Sequence, residues 1–286
     1  QKNGQSLQDA LDAQHASALH KSSCNYGFHI TLTPPKQNAE EDVNTVPEKA
    51  GEIPQKNSED SPAEKSETIT EQMAKTVMSG FNLQLSDSEI FEILNAAKEH
   101  GALVCCRCEN GDMVRHLVEE QLKNKRKRPS SHPISRPPAV EAEAVARFLS
   151  LAQLADVPVY ILDVSAKQSL EQIKLAKKRG QLFFCGTAPQ YLLLTDSLYR
   201  KGGFDGAKFI CNPPLRKKQD LKALQKELMR GKAGLNPGSK DNSYIDLICS
   251  DHAAFDLGER EKAAKKGFSK AAPGLPGAQY RSSLIF

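Results

Sequence analysis

The chain has 286 residues, with 39 Lys and Arg against 35 Asp and Glu and a formal net charge of +4. That balance gives no argument for general nucleic-acid binding, which takes a basic face or stripe. A hydrophobic fraction of 39% and a mean hydropathy of -0.51 indicate that part of the chain does not pack. No run reaches the roughly 18 apolar residues that span a bilayer. The start, Gln1-Lys2-Asn3-Gly4, lacks the basic and apolar pattern of a signal peptide, and the missing Met leads to the expectation that the true N-terminus lies elsewhere. Seven Cys is an odd count. Cys105, Cys106, Cys185 and Cys249 sit in apolar runs, which suits buried reduced thiols and a cytoplasmic location.

In chain order, residues 26–32 alternate like a strand and end at Pro34-Pro35. From 36 to 72 Glu, Asn, Ser, Lys, Pro and Asp dominate, a composition that cannot offset its chain entropy and predicts disorder. Ile90, Ile93, Leu94 and Ala97 share a helical face, with Ser86, Asp87 and Ser88 as candidate caps and Gly101 as the stop. Ala102 to Cys106 is a short apolar run of the buried parallel-strand kind. The pattern repeats as a helix over 138–155, a strand over 159–162, a helix over 167–179, and strands over 182–185 and 244–249.

Apolar strands alternating with amphipathic helices predict a parallel α/β sheet with right-handed crossovers. No glycine-rich phosphate loop follows a strand, which disfavours a dinucleotide-binding fold and leaves a barrel. In a barrel the chemistry sits at the C-terminal strand ends, where Arg107 to Asn110, Asp163 and Asp251-His252 fall. Two further groups read as structural. In Cys105-Cys106-Arg107-Cys108, alternation sends Cys106 and Cys108 to one side, with no second Cys pair at zinc-finger spacing. The run Lys123 to Arg128 reads as a solvated loop, with a nuclear-localisation or polyanion patch as the alternative.

Several strand-end motifs are familiar together. Cys108-Glu109-Asn110-Gly111-Asp112, Ser135-Arg136-Pro137, Val140 to Ala144 with Arg147, Pro213-Pro214-Leu215-Arg216, Ser250-Asp251-His252 and the segment from Lys270 to Phe286 occur in order. They resemble the dihydropyrimidinases and their collapsin-response-mediator relatives in the amidohydrolase superfamily. The resemblance covers 1–35 and 73–286, with 36–72 as an insertion. It implies a partial (β/α)8 metal-dependent hydrolase barrel with about six of the eight strands.

Family enzymes open cyclic amides with two zinc ions, held by a His-x-His pair, a carboxylated Lys, two further His and one Asp. On this sequence the His pair has no counterpart, Lys75 matches the Lys across a one-residue gap, Arg107 replaces one His and Asp163 another. Asp251 alone survives unchanged. The substrate loops carry over as Asn212 and Pro276, where proline removes a backbone N–H. Arg107 has no lone pair for a metal, and a catalytic zinc site needs about three protein ligands.

The expectation is therefore a non-catalytic scaffold of the collapsin-response-mediator type, without a cofactor. Its partners would be family members in a homo- or hetero-oligomer and tubulin, with no membrane or nucleic acid. The alternative is a hydrolase of carbon–nitrogen bonds in cyclic amides, with zinc on Asp251, Asp163 and Lys75.

Overall fold

A computed structural model describes residues 12–13, 16–17, 78–83, 85–202, 204–230 and 243–285, the stretch 78–83 by its backbone alone. The strand expected over 26–32, the low-complexity stretch 36–72 and Lys75 lie outside the described residues.

Five parallel strands pair in chain order: β1 (Met78–Leu83), β2 (Val104–Asn110), β3 (Val159–Leu162), β4 (Phe184–Thr187) and β5 (Leu247–Ile248). Between and after them run α1 (Asp87–Glu99), α2 (Gly111–Lys123), α3 (His132–Ser135), α4 (Pro138–Ala155), α5 (Lys167–Lys178), α6 (Pro189–Leu193), α7 (Lys218–Arg230), α8 (Leu257–Lys265) and α9 (Arg281–Ile285). Consecutive parallel neighbours joined through helices are the arrangement of part of a (β/α)8 barrel. Among the described residues the sheet does not close, and β1 and β5 form its edges.

Period-two alternation fixes which residues face the helices. Val104, Cys106 and Cys108 of β2 join the main core with Val159 and Ile161 of β3. Cys105 and Arg107 alternate to the other side, paired in register with Tyr160 and Leu162. Gly186 of β4 makes room for Tyr160, since a Cβ there would collide with the tyrosine hydroxyl. None of the described cysteines forms a disulfide, in line with the apolar runs around them.

Local signals explain where the elements begin and end. Ser86 caps α1 in a capping box: Glu89 Oε2 accepts the Ser86 N–H at 2.7 Å and the Ser86 hydroxyl accepts the Glu89 N–H at 3.3 Å. Gly101 follows α1 at φ 63, a left-handed conformation that glycine adopts without a Cβ clash. The helix α4 is apolar around much of its circumference because it packs on β2 and β3 as well as α1 and α5, burying Phe148, Leu149 and Ala152.

Inside that apolar helix Glu141 is only 2% exposed. One of its oxygens accepts the backbone N–H groups of Ser165 (2.9 Å) and Ala166 (3.1 Å), and the other meets the Ser165 hydroxyl and Arg216 Nη2, the latter at 2.7 Å. Ala166 is the N-cap of α5 and has no capping side chain; Glu141 takes its N–H, and Asp220 Oδ1 accepts the next one, from Lys167, at 3.0 Å. Arg216 continues the network to the Ser165 hydroxyl at 2.9 Å and to the Arg136 carbonyl. The connection after β3 is thereby held at a buried charge pair.

His132 is buried against the rings of Tyr199 and Phe268, with Nε2 2.9 Å from the Cys211 carbonyl. Burial, and then the charge of Arg136, push its pKa down to about 3. The unfolded imidazole takes up a proton below about 6.5, while the folded one stays neutral until about 3, so stability falls as pH drops through that window. His132→Asn is expected to lower the melting temperature at pH 7 but to flatten its fall between pH 6.5 and pH 4. Melting curves at a series of pH values check this, and parallel losses in both proteins would contradict it.

Candidate functional site

Three strand ends converge on one guanidinium. Arg107 leaves the inner side of β2, Asp163 follows β3 at φ 56, and Asp251 follows β5 at φ 42. Asp tolerates this left-handed region better than most residues, and here it turns both carboxylates toward the same point. Arg107 Nε and Nη2 donate to Asp163 Oδ2 at 2.9 and 2.5 Å, and Nη2 also donates to Asp251 Oδ1 at 2.7 Å. Gln190 Nε2 from α6 donates to Asp251 Oδ2 at 2.9 Å, and the Cys249 thiol reaches Asp163 Oδ1 at 3.1 Å.

The electrostatics follow from burial and proximity. The Arg107 side chain keeps 31% of its surface exposed, while those of Asp163 and Asp251 keep 3% and 11%. Burial opposes the Arg107 charge, but Asp163 and Asp251 outweigh it and raise the pKa. Burial and the neighbouring Asp163 push Asp251 up to about 7, against the pull of Arg107. Burial and Asp163 likewise push the Cys249 thiol up, so it stays protonated and donates.

A zinc pair does not fit these residues. The guanidinium has no lone pair and lies on the carboxylate oxygens that would face a metal, and the Cys249 sulfur carries its proton. Among the described residues no three His, Cys, Asp or Glu side chains are grouped to hold an ion. The structure brings Asp163 and Asp251 together, but on Arg107 rather than around a vacant centre. Lys75 lies outside the described residues.

Of the substrate-loop expectations, Asn212 precedes Pro213 with its Oδ1 buried and without a hydrogen-bond partner among the described residues. Pro276 is exposed in the loop that follows the short turn Phe268–Lys270. That loop is built on His252: its Nδ1 accepts the N–H groups of Gly277 at 3.1 Å and Ala278 at 3.2 Å. Ala253 N–H also donates to Leu275 at 3.0 Å. Gly277 cannot carry a side chain, because a Cβ would collide with the Ser250 carbonyl. The motif reading brought forward His252 without this role and missed Gln190. The Ser250-Asp251-His252 triplet carried the signal for the first, and the second has no motif.

No family model matches the chain. It is 30% identical to the D-hydantoinase of Geobacillus stearothermophilus over 99% of its own length and 54% of that protein. It is 31% identical to a D-phenylhydantoinase of Escherichia coli, covering 99% of the chain and 54% of the relative. Among solved structures, a D-hydantoinase and the dihydropyrimidinase of Brevibacillus agri each superpose with a TM-score of 0.79 at 26% identity, over 100% of this chain and 56% of theirs. The chain therefore spans about half the length of the relatives it matches, which are D-hydantoinases and dihydropyrimidinases.

These comparisons correct one expectation. The scaffold of the collapsin-response-mediator type is overturned, since the relatives carry the names of enzymes. That expectation rested on Arg107 and Asp163 standing where metal-binding His is expected. Losing those ligands limits what a metal can do there; it does not supply a scaffold's binding surface. The expectation of no cofactor loses its support with it, because zinc belongs to the hydrolase alternative that the relatives favour. No described helix is long and apolar enough to cross a membrane.

Arg107→Met leaves two buried carboxylates facing one another. Breaking one partner of a buried charge pair costs about 3–5 kcal/mol, and the partial exposure of Arg107 lowers this toward ~3 kcal/mol. Denaturant unfolding should show that loss, with partial recovery in Arg107→Met/Asp163→Leu. Equal stability of Arg107→Met and wild type would mean that the bridge holds nothing together.

Proposed function

We propose that this chain provides the hydrolytic half of a cyclic-amide hydrolase, acting on carbon–nitrogen bonds in rings of the hydantoin and dihydropyrimidine kind. The observation that carries this reading is the likeness to D-hydantoinases over nearly the whole chain, combined with a polar cluster at the strand ends. Parallel barrels keep their chemistry at those ends.

Such rings alternate amide N–H donors with carbonyl acceptors. The edge of Arg107 faces a carbonyl oxygen, and the Asp251 carboxylate accepts a proton. Water adds to the ring carbonyl and gives its proton to Asp251, and Arg107 stabilises the oxyanion that forms. The carbon–nitrogen bond then breaks, the ring nitrogen takes the proton back from Asp251, and the product carries a ureido group and a free carboxylate. His252 and Gln190 are positioning residues: one holds the 275–278 loop and the other orients Asp251.

Turnover of hydantoin and dihydrouracil by the 286-residue chain, followed by chromatography of the ureido acid, tests the proposal. Asp251→Asn is expected to lower the rate by on the order of 100-fold or more, the usual worth of a positioned base. Absence of both turnover and calorimetric binding of either ring would overturn the reading. An unaffected rate in Asp251→Asn would reject the assignment of the base.

A further inference from the structure

Away from the strand ends, a cavity of about 930 Å3 opens between the loop after α2, residues 199–202 and 204–207, and α8. None of Arg107, Asp163 and Asp251 lines it. Its walls carry Lys127, Arg128, Arg200, Lys201 and Lys265 against a single carboxylate, Glu261. Five cations against one carboxylate leave a local excess of positive charge on one concave surface. Glu261 is already engaged by Lys265 at 3.1 Å, and among the described residues Lys127, Arg128 and Arg200 make no ion pair. Like charges facing one another across a cleft focus the field inside it and favour an anion there.

Hydrogen bonds fix the backbone of the walls, from which the five cationic side chains reach as exposed groups. The Lys127 carbonyl accepts the Phe268 N–H at 2.9 Å, and the Arg128 carbonyl accepts the Ser131 N–H at 2.9 Å. Gly206 packs so close to the carbonyls of Tyr199 and Lys201 that a Cβ would approach the Tyr199 oxygen to 2.8 Å. Buried Arg260 of α8 donates to the carbonyls of Ile210 and Gly274 at 2.5 and 2.9 Å, which pins the helix that forms one wall. Tyr199, Phe204, Ala207 and Ala264 add an apolar side.

We infer that this cavity is a binding site for a small organic polyphosphate, separate from the strand-end site. The volume falls in the range of small-ligand pockets, roughly 300–1,000 Å3, and exceeds what one inorganic anion fills. Several cations in one concavity call for several negative charges on one ligand, and arginine forks match phosphate oxygens. The apolar side takes the organic part. Nucleic acid fits less well, because the charge is gathered in a cavity of small-molecule size rather than laid along a stripe.

Isothermal titration of the full chain with ATP and, separately, with inorganic tripolyphosphate in chelator tests the proposal. Both are expected to bind, ATP more tightly, with affinity falling as salt rises. Lys127→Ala/Arg128→Ala should weaken both at least tenfold, while Lys217→Ala/Lys218→Ala, on exposed positions outside the cavity, should leave them unchanged. Melting curves confirm that each variant is folded. Tripolyphosphate binding as tightly as ATP would overturn the role of the apolar side. No binding, or equal loss in both double variants, would overturn the site, as would a single-stranded oligonucleotide that binds and is not displaced by tripolyphosphate.

Discussion

The clasp of Arg107 on Asp163 and Asp251 is the interaction on which the ends of the sheet depend. Two carboxylates that are nearly removed from water, on backbones with positive φ, would repel one another if the cation between them were gone. With it in place, β2, β3 and β5 end at a common point, and Gln190 and Cys249 can donate to the oxygens that remain. His252, on which the 275–278 loop rests, lies one residue beyond Asp251, so the position of that loop follows from the same clasp.

A guanidinium in this place differs from a metal ion in one decisive respect. It donates hydrogen bonds along a planar edge and keeps its charge, but it accepts no lone pair from water. It can stabilise an oxyanion and cannot turn bound water into hydroxide, so the proton must go to a carboxylate. Asp251, raised by burial and by Asp163, has the character that the task demands. The buried pair of Glu141 and Arg216 supports the arrangement from behind, by fixing the chain that leaves Asp163 for α5.

Much of the frame is legible from periodicity. The expected spans 138–155 and 159–162 coincide with α4 and β3, because the helix is bounded by Pro138 and Asp156 and the strand is a pure apolar run. The strand expected over 182–185 instead pairs over 184–187, leaving Leu182 66% exposed, since register with β3 starts at Tyr160 opposite Phe184. The strand expected over 244–249 shrinks to Leu247–Ile248. The side chain of Asp246 takes the Cys185 N–H at 2.8 Å, a donor that a longer ladder would use. The helix α7 escaped notice because its Lys-, Gln- and Glu-rich sequence masks the few positions, Leu224 among them, that it buries. At the site, motif and spacing bring forward Arg107, Asp163 and Asp251, but that the first would bridge the other two depends on backbone turns no local pattern encodes.

The most direct test of this account is the zinc content of the purified full chain after dialysis against zinc, beside the same measurement on Arg107→His. With Arg107 as the resident cation, the wild-type chain should retain no stoichiometric zinc, and removing the guanidinium while adding an imidazole should raise retention toward one ion per chain. Stoichiometric zinc in the wild type, displacing Arg107 from Asp163 and Asp251, would contradict the account.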